Sequence, residues 1–315
     1  MTRKTTRQSS KPKFDAAAAI TNDLIAIIER GTLPWRQPWK GGAAPTPLRH
    51  CGTPYKGSNA FLLTIQQMLS SYTSPYWMTM LQANELDARI RKGEKSSLVV
   101  RYGTYESRED AEIDVDDSAH EDGRRTRKFL KSYRVFNACQ IDGLDERYFP
   151  ALEDAPAYPA SQPIPHMHEF FDAIGGNVSF TGRQACYMPA LDKIYMPEIS
   201  LFEDPLHFYG TWAHEYAHWT KARHRLDRDY GHSRFGNTAY AREELTAELT
   251  SVFVGQHLGF TAHTLEMNAA YLDSWLTVLK SDKNAIFKHA GDAQKACDYL
   301  IAASEQGRAA TPIAA

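Results

Sequence analysis

The stretch "GTWAHEYAHW", residues 210–219, carries two histidines four positions apart with a glutamate directly after the first. On a helix, positions i and i+4 share a face, so His214 and His218 can present their imidazoles to one ion while Glu215 stands beside them to handle water. The flanking Trp212, Ala213, Tyr216, Ala217 and Trp219 mark the helix as buried, where unpaired imidazoles would be costly. The spacing therefore predicts a metal-binding helix of the zincin type over residues 204–222, and with it the fold of the half of the chain around it.

A third ligand has to come from elsewhere, because a catalytic zinc takes three protein ligands and keeps a fourth position for water. His224 lies six residues after His218, the metzincin spacing, but Lys221 stands where the turning glycine of that pattern belongs. If the helix continues, a six-residue step rotates His224 by about 240°, off the metal. The segment "YAREELTAELTS", residues 240–251, reads as a second helix with Glu244 and Glu248 on one face. Gluzincins place a ligand glutamate on such a helix, with an acid four residues later that accepts a hydrogen bond from a ligand histidine. On that likeness Glu244 is the expected ligand and Glu248 its supporting partner; Glu248, Glu243 and His224 stay open as alternatives. One divalent ion is expected, zinc or another such as manganese. It would lower the pKa of a bound water toward ~7, Glu215 would take the proton as general base, and peptide hydrolysis would follow. Tyr230, His232 and Tyr240 are the candidate oxyanion donors.

The 315-residue chain is 43% hydrophobic, enough to bury a sizeable core in two ordinary domains. No apolar run approaches the ~20 residues needed to cross a bilayer, and the opening "MTRKTTRQSSKPKF" has no signal-peptide character. No membrane partner and a cytoplasmic location are expected. Cys51, Cys139, Cys186 and Cys297 are scattered, without a C-x-x-C pair, so neither a thiolate metal knuckle nor a disulfide framework is suggested.

The net charge of −2 hides an asymmetry: residues 1–105 balance at +9, and the rest at −11. Much of the negative part comes from the acidic insert at 106–122. A basic half points to a polyanionic partner. It also holds the chemistry of single-strand binding, cations interleaved with flat aromatics. "PWRQPW" supplies Trp35, Arg36 and Trp39, followed by Lys40. "TPYKGSN" supplies Tyr55, Lys56 and Asn59, and "SPYWMT" supplies Tyr76 and Trp77. "RIRKGEK" adds Arg89, Arg91, Lys92 and Lys95, and "KSYRVFN" adds Lys131, Tyr133 and Arg134.

Periodicity and turn residues divide the chain into a basic tail at 1–13, expected to be disordered, a basic aromatic domain at 14–148 expected to bind single-stranded DNA, a Pro-rich linker at 149–165 and a domain at 166–308 around the His214/His218 helix, expected to be zincin-like. In the first domain, helices are expected over 14–30, 59–71 and 79–92. "SSLVVRYGTY" and "KSYRVFNACQI" are expected to pair as strands around the acidic insert. In the second, a helix near 166–174 and strands around 178–180, 185–188 and 193–196 precede helices at 204–222, 240–258, 264–281 and 284–305. The fold class is α+β.

These motifs together resemble the ArdC type of antirestriction protein, found on conjugative plasmids and other mobile elements. The likeness rests on "LPWRQPW", "PYKGSN", "YWMTMLQANE", "RKGEKSSLVV" and "YRVFNACQIDGL" in the first half. In the second it rests on "YMPALDKIYMP", "YGTWAHEYAHWT", "RLDRDYG" and "YAREELTAELTSVF". The resemblance implies an N-terminal domain that binds single-stranded DNA, a C-terminal zincin-like metallopeptidase domain, and protection of incoming DNA from host restriction. It carries His214 and His218 as metal ligands, Glu215 as general base and Glu244 as third ligand. A protein substrate is implied but not identified. The rival expectation is a DNA-protecting binding protein whose metal site is structural or vestigial.

Overall fold

The computed structural model describes residues 14–30, 45–107, 125–151, 158–159, 162–231, 238–260 and 269–310. The basic tail, the loop with Trp35, Arg36, Trp39 and Lys40, and most of the acidic insert lie outside the described residues.

The first half opens with α1 (Ala16–Glu29). Asp15 caps it, its carboxylate accepting from Ala18 N at 3.0 Å, which satisfies one of the free N–H groups of the first turn. Ile20, Leu24 and Ile28 follow at four-residue intervals and are buried as one stripe. α2 (Gly57–Leu69) packs against a sheet of order β1-β2-β5-β4. These strands are β1 (Leu48–Arg49), β2 (Tyr76–Met78), β4 (Ser97–Ser107) and β5 (Arg125–Asn137). β1 runs parallel to β2, while β2–β5 and β4–β5 are antiparallel. The long β4/β5 hairpin pairs Ser97 with Val135 through to Ser107 with Arg125, the two expected strands in register.

The helix expected over 79–92 is cut short. α3 spans Met80–Glu85 only, started by a Thr79/Gln82 capping box. Asp87 then takes the left-handed conformation at φ 56°, which ends the helix. β3 (Arg89–Ile90) follows and pairs with β6 (Ile141–Asp142) in a separate ribbon.

In the second half α4 (Pro165–Ala173) leads into a three-stranded sheet of order β7-β9-β8. Its members are β7 (Asn177–Phe180), β8 (Cys186–Met188) and β9 (Lys193–Met196). Helices α5 (Pro205–Thr220), α6 (Thr238–Leu258), α7 (Ala269–Ser281) and α8 (Ala285–Ala310) complete it. No helix among the described residues is long and apolar enough to cross a membrane.

The two halves share one apolar core. α1 packs on α7 and α2 on α8. Polar bonds cross at the same seam: Thr21 Oγ1 donates to Lys283 O at 2.7 Å, Gly57 N to Gln294 Oε1 at 2.9 Å, and Gln256 Nε2 to Thr64 Oγ1 at 2.7 Å.

Candidate metal centre

α5 begins where Asp204 accepts from Leu206 N at 2.8 Å and Pro205 occupies the first helical position, a start that needs no extra donor. The helix is buried on nearly every side. Trp212 stacks on Phe171 at 4.9 Å between centroids, and Tyr216 donates from its hydroxyl to Phe171 O at 3.2 Å. Those aromatic anchors fix the rotation of α5 and so turn His214 and His218 toward α6. α6 crosses close to α5 at a small residue, where Ser251 Oγ donates to Gly210 O at 2.9 Å.

At this crossing His214, His218 and Glu244 place their ligand atoms within 4.8 Å of one another. His214 Nε2 and His218 Nε2 are 3.1 Å apart. His214 Nε2 lies 3.4 Å from Glu244 Oε2, and His218 Nε2 lies 3.5 Å from Glu244 Oε1. Glu244 thus faces the two imidazoles through different oxygens, and two nitrogens with one carboxylate are a donor set whose chemistry fits a single divalent cation. Glu215, buried at 7% exposure, follows His214 in α5.

Each imidazole is backed by a carboxylate on its other nitrogen. His218 Nδ1 is 3.1 Å from Glu243 Oε1, and His214 Nδ1 is 3.8 Å from Glu248 Oε2. Glu243 is held in turn by Arg228, whose Nη2 donates to Oε1 at 2.8 Å and whose Nε donates to Oε2 at 3.1 Å. Arg228 also reaches Thr220 Oγ1 at 3.1 Å and Ala217 O at 2.9 Å, closing the last turn of α5. Burial raises the carboxyl pKa values here, but the neighbouring cations outweigh it. Glu243 is held well below the usual carboxylate range by His218 and Arg228. Glu244 is lowered to about 2 by His218, His214 and the Tyr240 hydroxyl. His214 is the converse: burial lowers it, and Glu244 and Glu248 raise it well above the ordinary imidazole value.

The other sequence candidates separate cleanly. Tyr240 bonds the Glu244 carboxylate. Tyr230 does not serve the centre, because its hydroxyl is engaged by Thr246 Oγ1 and by Asp292 Oδ2, each at 2.9 Å. His232 is outside the described residues. His224 is exposed and sits 3.4 Å from Asp192 Oδ2, apart from the ligand set. Glu243 stands behind His218 and is absent from that set.

Residues 165–292 match the family model of a zincin-like metallopeptidase, MPTase-PolyVal, and residues 14–136 match that of the N-terminal domain of anti-restriction factor ArdC. The metal-free crystal structure of the antirestriction ArdC protein from plasmid R388 superposes with a TM-score of 0.78 at 38% identity, covering 93% of this chain and 99% of that one. The chain belongs to the ArdC antirestriction family. The Mn(II)-bound structure of the same R388 protein gives a TM-score of 0.74 over 92% of this chain and 98% of that one. The uncharacterized protein y4eC of Sinorhizobium fredii is 35% identical over 301 residues, 95% of each chain. A DNA primase TraC of Escherichia coli is 34% identical over 94% of this chain, which spans 20% of the primase.

Among the described residues, two of those expected to contact nucleic acid are instead spent on the fold itself. Trp77 is a correction: it is fully buried, wedged edge-on against Tyr72 at 5.8 Å, with Nε1 donating to Gln67 Oε1 at 3.5 Å. No face of its indole is open to a base. Asn59 is a second correction, since its amide is spent on the backbone of β4, donating to Val100 O at 2.7 Å and accepting from Val100 N at 2.9 Å. Arg91 bonds Glu94, Asp142 and the Cys139 carbonyl. Lys56 is exposed but paired with Asp298 at 3.3 Å. Lys92 and Lys95 are exposed beside β3. The supporting Arg228 escaped the sequence argument, although an arginine in the segment just after the metal-binding helix was a usable signal for it.

Proposed function

We propose that this chain is a single-stranded-DNA-binding antirestriction protein whose C-terminal half, 166–308, is a divalent-metal peptidase, with a DNA-binding half at 14–148 and a linker at 149–165. The observation that carries the reading is the convergence of His214, His218 and Glu244 within 4.8 Å, with Glu215 in the position of a general base. Zinc and manganese both suit the two nitrogens and one carboxylate.

In this reading His214, His218 and Glu244 hold the ion, which when bound supplies the positive charge that acidifies water and polarises a carbonyl. Glu215 accepts the proton of the attacking water. The hydroxide adds to the scissile carbonyl carbon, and Glu215 returns the proton to the leaving amine. Tyr240 would serve as the donor to the carbonyl oxygen as it gains charge only by giving up its bond to Glu244. Glu243, within hydrogen-bond distance of His218 Nδ1, holds that imidazole in the tautomer that presents Nε2 to the ion, and Glu248 supplies negative charge behind His214 at 3.8 Å.

The test is metal analysis beside a proteolysis assay run with and without single-stranded DNA. His214→Ala and Glu244→Ala are expected to lose stoichiometric metal, while Glu215→Gln keeps it and loses cleavage. Full metal in Glu244→Ala would remove Glu244 from the ligand set. Metal retention by the wild type without cleavage of any protein would leave the DNA-protecting binding protein with a structural ion.

A further inference from the structure

Two adjacent aromatics on β2 are treated oppositely by the fold. Alternate side chains of a strand point to opposite faces: Trp77 fills the main core, whereas Tyr76 shares the other face with the buried Met78, packs against a second apolar cluster that includes Tyr148, and remains half-buried at a cavity of about 340 Å³ lined by His50, Cys51, Gly52, Tyr76, Arg147 and Tyr148. The cavity lies at the edge strand of the sheet. β1 ends at Arg49, and the turn after it closes through Gly52 N donating to Arg49 O at 2.8 Å. Gly52 adopts φ +85°, open to glycine at no steric cost, and a Cβ there would meet nothing within 4 Å.

Its walls have an unusual chemistry. Tyr76 stands edge-on to Tyr148, with ring centroids 5.2 Å apart at 87°. The exposed Arg147 guanidinium lies 4.7 Å above the Tyr148 ring and donates to its hydroxyl at 2.8 Å. That holds a cationic plane fixed at the rim. Phe149 follows at 41% exposure. His50 Nδ1 is buried with no hydrogen-bond partner among the described residues, a cost that structures tolerate where a ligand or a water completes the bond. The size is at the lower end of the roughly 300–1,000 Å³ of small-ligand pockets. That suits one nucleoside and is too small for a folded partner.

We propose that this cavity takes one nucleobase of a single strand, stacked on Tyr76 and hydrogen-bonded at its edge by His50, with the adjoining phosphate on Arg147. The proposal rests on the reading that the basic half binds single-stranded DNA. It replaces Trp77 by its neighbour as the stacking residue. Stacking on an aromatic is tolerant of base identity, while a phosphate contact is salt-dependent, so the pocket would anchor a strand with little sequence preference.

Cys51 lines the cavity and is exposed, and Cys186 is exposed in the other half, so the wild-type protein carries both a reporter and an internal reference. The experiment measures iodoacetamide alkylation of each cysteine by mass spectrometry with oligothymidylate, with thymidine monophosphate, or with neither. Strand binding is followed in parallel by fluorescence anisotropy. Saturating oligothymidylate should slow Cys51 alkylation by about tenfold and leave Cys186 unchanged. Tyr76→Leu should weaken strand binding by about tenfold or more with its salt slope kept, the loss expected of one stacked base. Arg147→Gln should flatten the slope of log K against log salt by up to about 0.7. Strand binding without Cys51 protection overturns the pocket and leaves the DNA-binding reading standing. No strand binding at all overturns both. Protection by the mononucleotide alone reassigns the cavity to a free nucleotide and overturns the strand assignment.

Discussion

The Arg228–Glu243 pair offers a sharp test, because its effects on stability and on metal binding should part company. Both side chains are nearly enclosed, at 5% and 8% exposure. Arg228 makes two bonds to Glu243, at 2.8 and 3.1 Å, and two more to the end of α5. Replacing Glu243 by Leu strands a buried guanidinium, a change that costs about 3–5 kcal/mol, whereas replacing both partners by apolar residues of similar volume is often close to neutral. Glu243→Leu and Arg228→Met should therefore each lose about 3 kcal/mol or more in urea unfolding with metal chelated, and the double variant should recover most of it. Metal affinity should behave otherwise. Glu243 is the acceptor at His218 Nδ1, and loss of such a partner costs about 10–100-fold in affinity. That loss should appear in Glu243→Leu and persist in the double variant. A double variant no more stable than the worse single one would refute the ion-pair account. Metal affinity that recovered along with stability would refute the positioning of His218 by Glu243.

Three further outcomes follow from burial. Trp77→Ala should cost about 3–5 kcal/mol in urea unfolding, as large aromatic truncations in cores do, and Asn59→Ala about 2 kcal/mol through the two Val100 bonds it leaves unmade; fully stable variants with weakened DNA binding would return both residues to the interface. His289, buried against Thr246 and Tyr230 with Asp292, Lys288 and Arg242 nearby, has its pKa lowered by burial to about 4. The unfolded chain thus binds a proton that the folded chain refuses between about pH 6.5 and 4, so stability should fall with pH across that window by about 3 kcal/mol in full, and His289→Gln should flatten the dependence relative to wild type in urea titrations at several pH values. Gly307→Ala would drive a methyl group into the Ala173 carbonyl where α8 crosses α4, so a loss of about 1–3 kcal/mol from overpacking is expected in a thermal melt; an unchanged melt would mean the two helices separate freely.

The helix α5 with its two histidines and its glutamate at candidate metal-ligand spacing was legible in the sequence because one helix turn fixes their geometry locally. The same holds for the face shared by Glu244 and Glu248, while strand-forming composition marked the two strands that pair as the β4/β5 hairpin. Periodicity also located α2, α4, α6 and α8, their ends displaced by only a few residues. What sequence could not decide was anything set by contact between distant segments. Glu243, Glu244 and Glu248 are all acids on α6, and only the crossing of α5 over α6 puts Glu244 against both Nε2 atoms and the other two behind the imidazoles. Composition marked Tyr76 and Trp77 alike as aromatic residues of a basic half. The pleat of β2, pinned between β1 and β5, sends Trp77 into the main core and Tyr76 to the opposite face, at the margin of a second apolar cluster where the cavity opens. Asn59 failed for the same reason: a polar side chain looks the same in sequence whether it waits for a ligand or ties its own helix to a strand across 41 positions. Local geometry is written in neighbouring residues, whereas the partner of a buried polar group is chosen by packing over the whole chain.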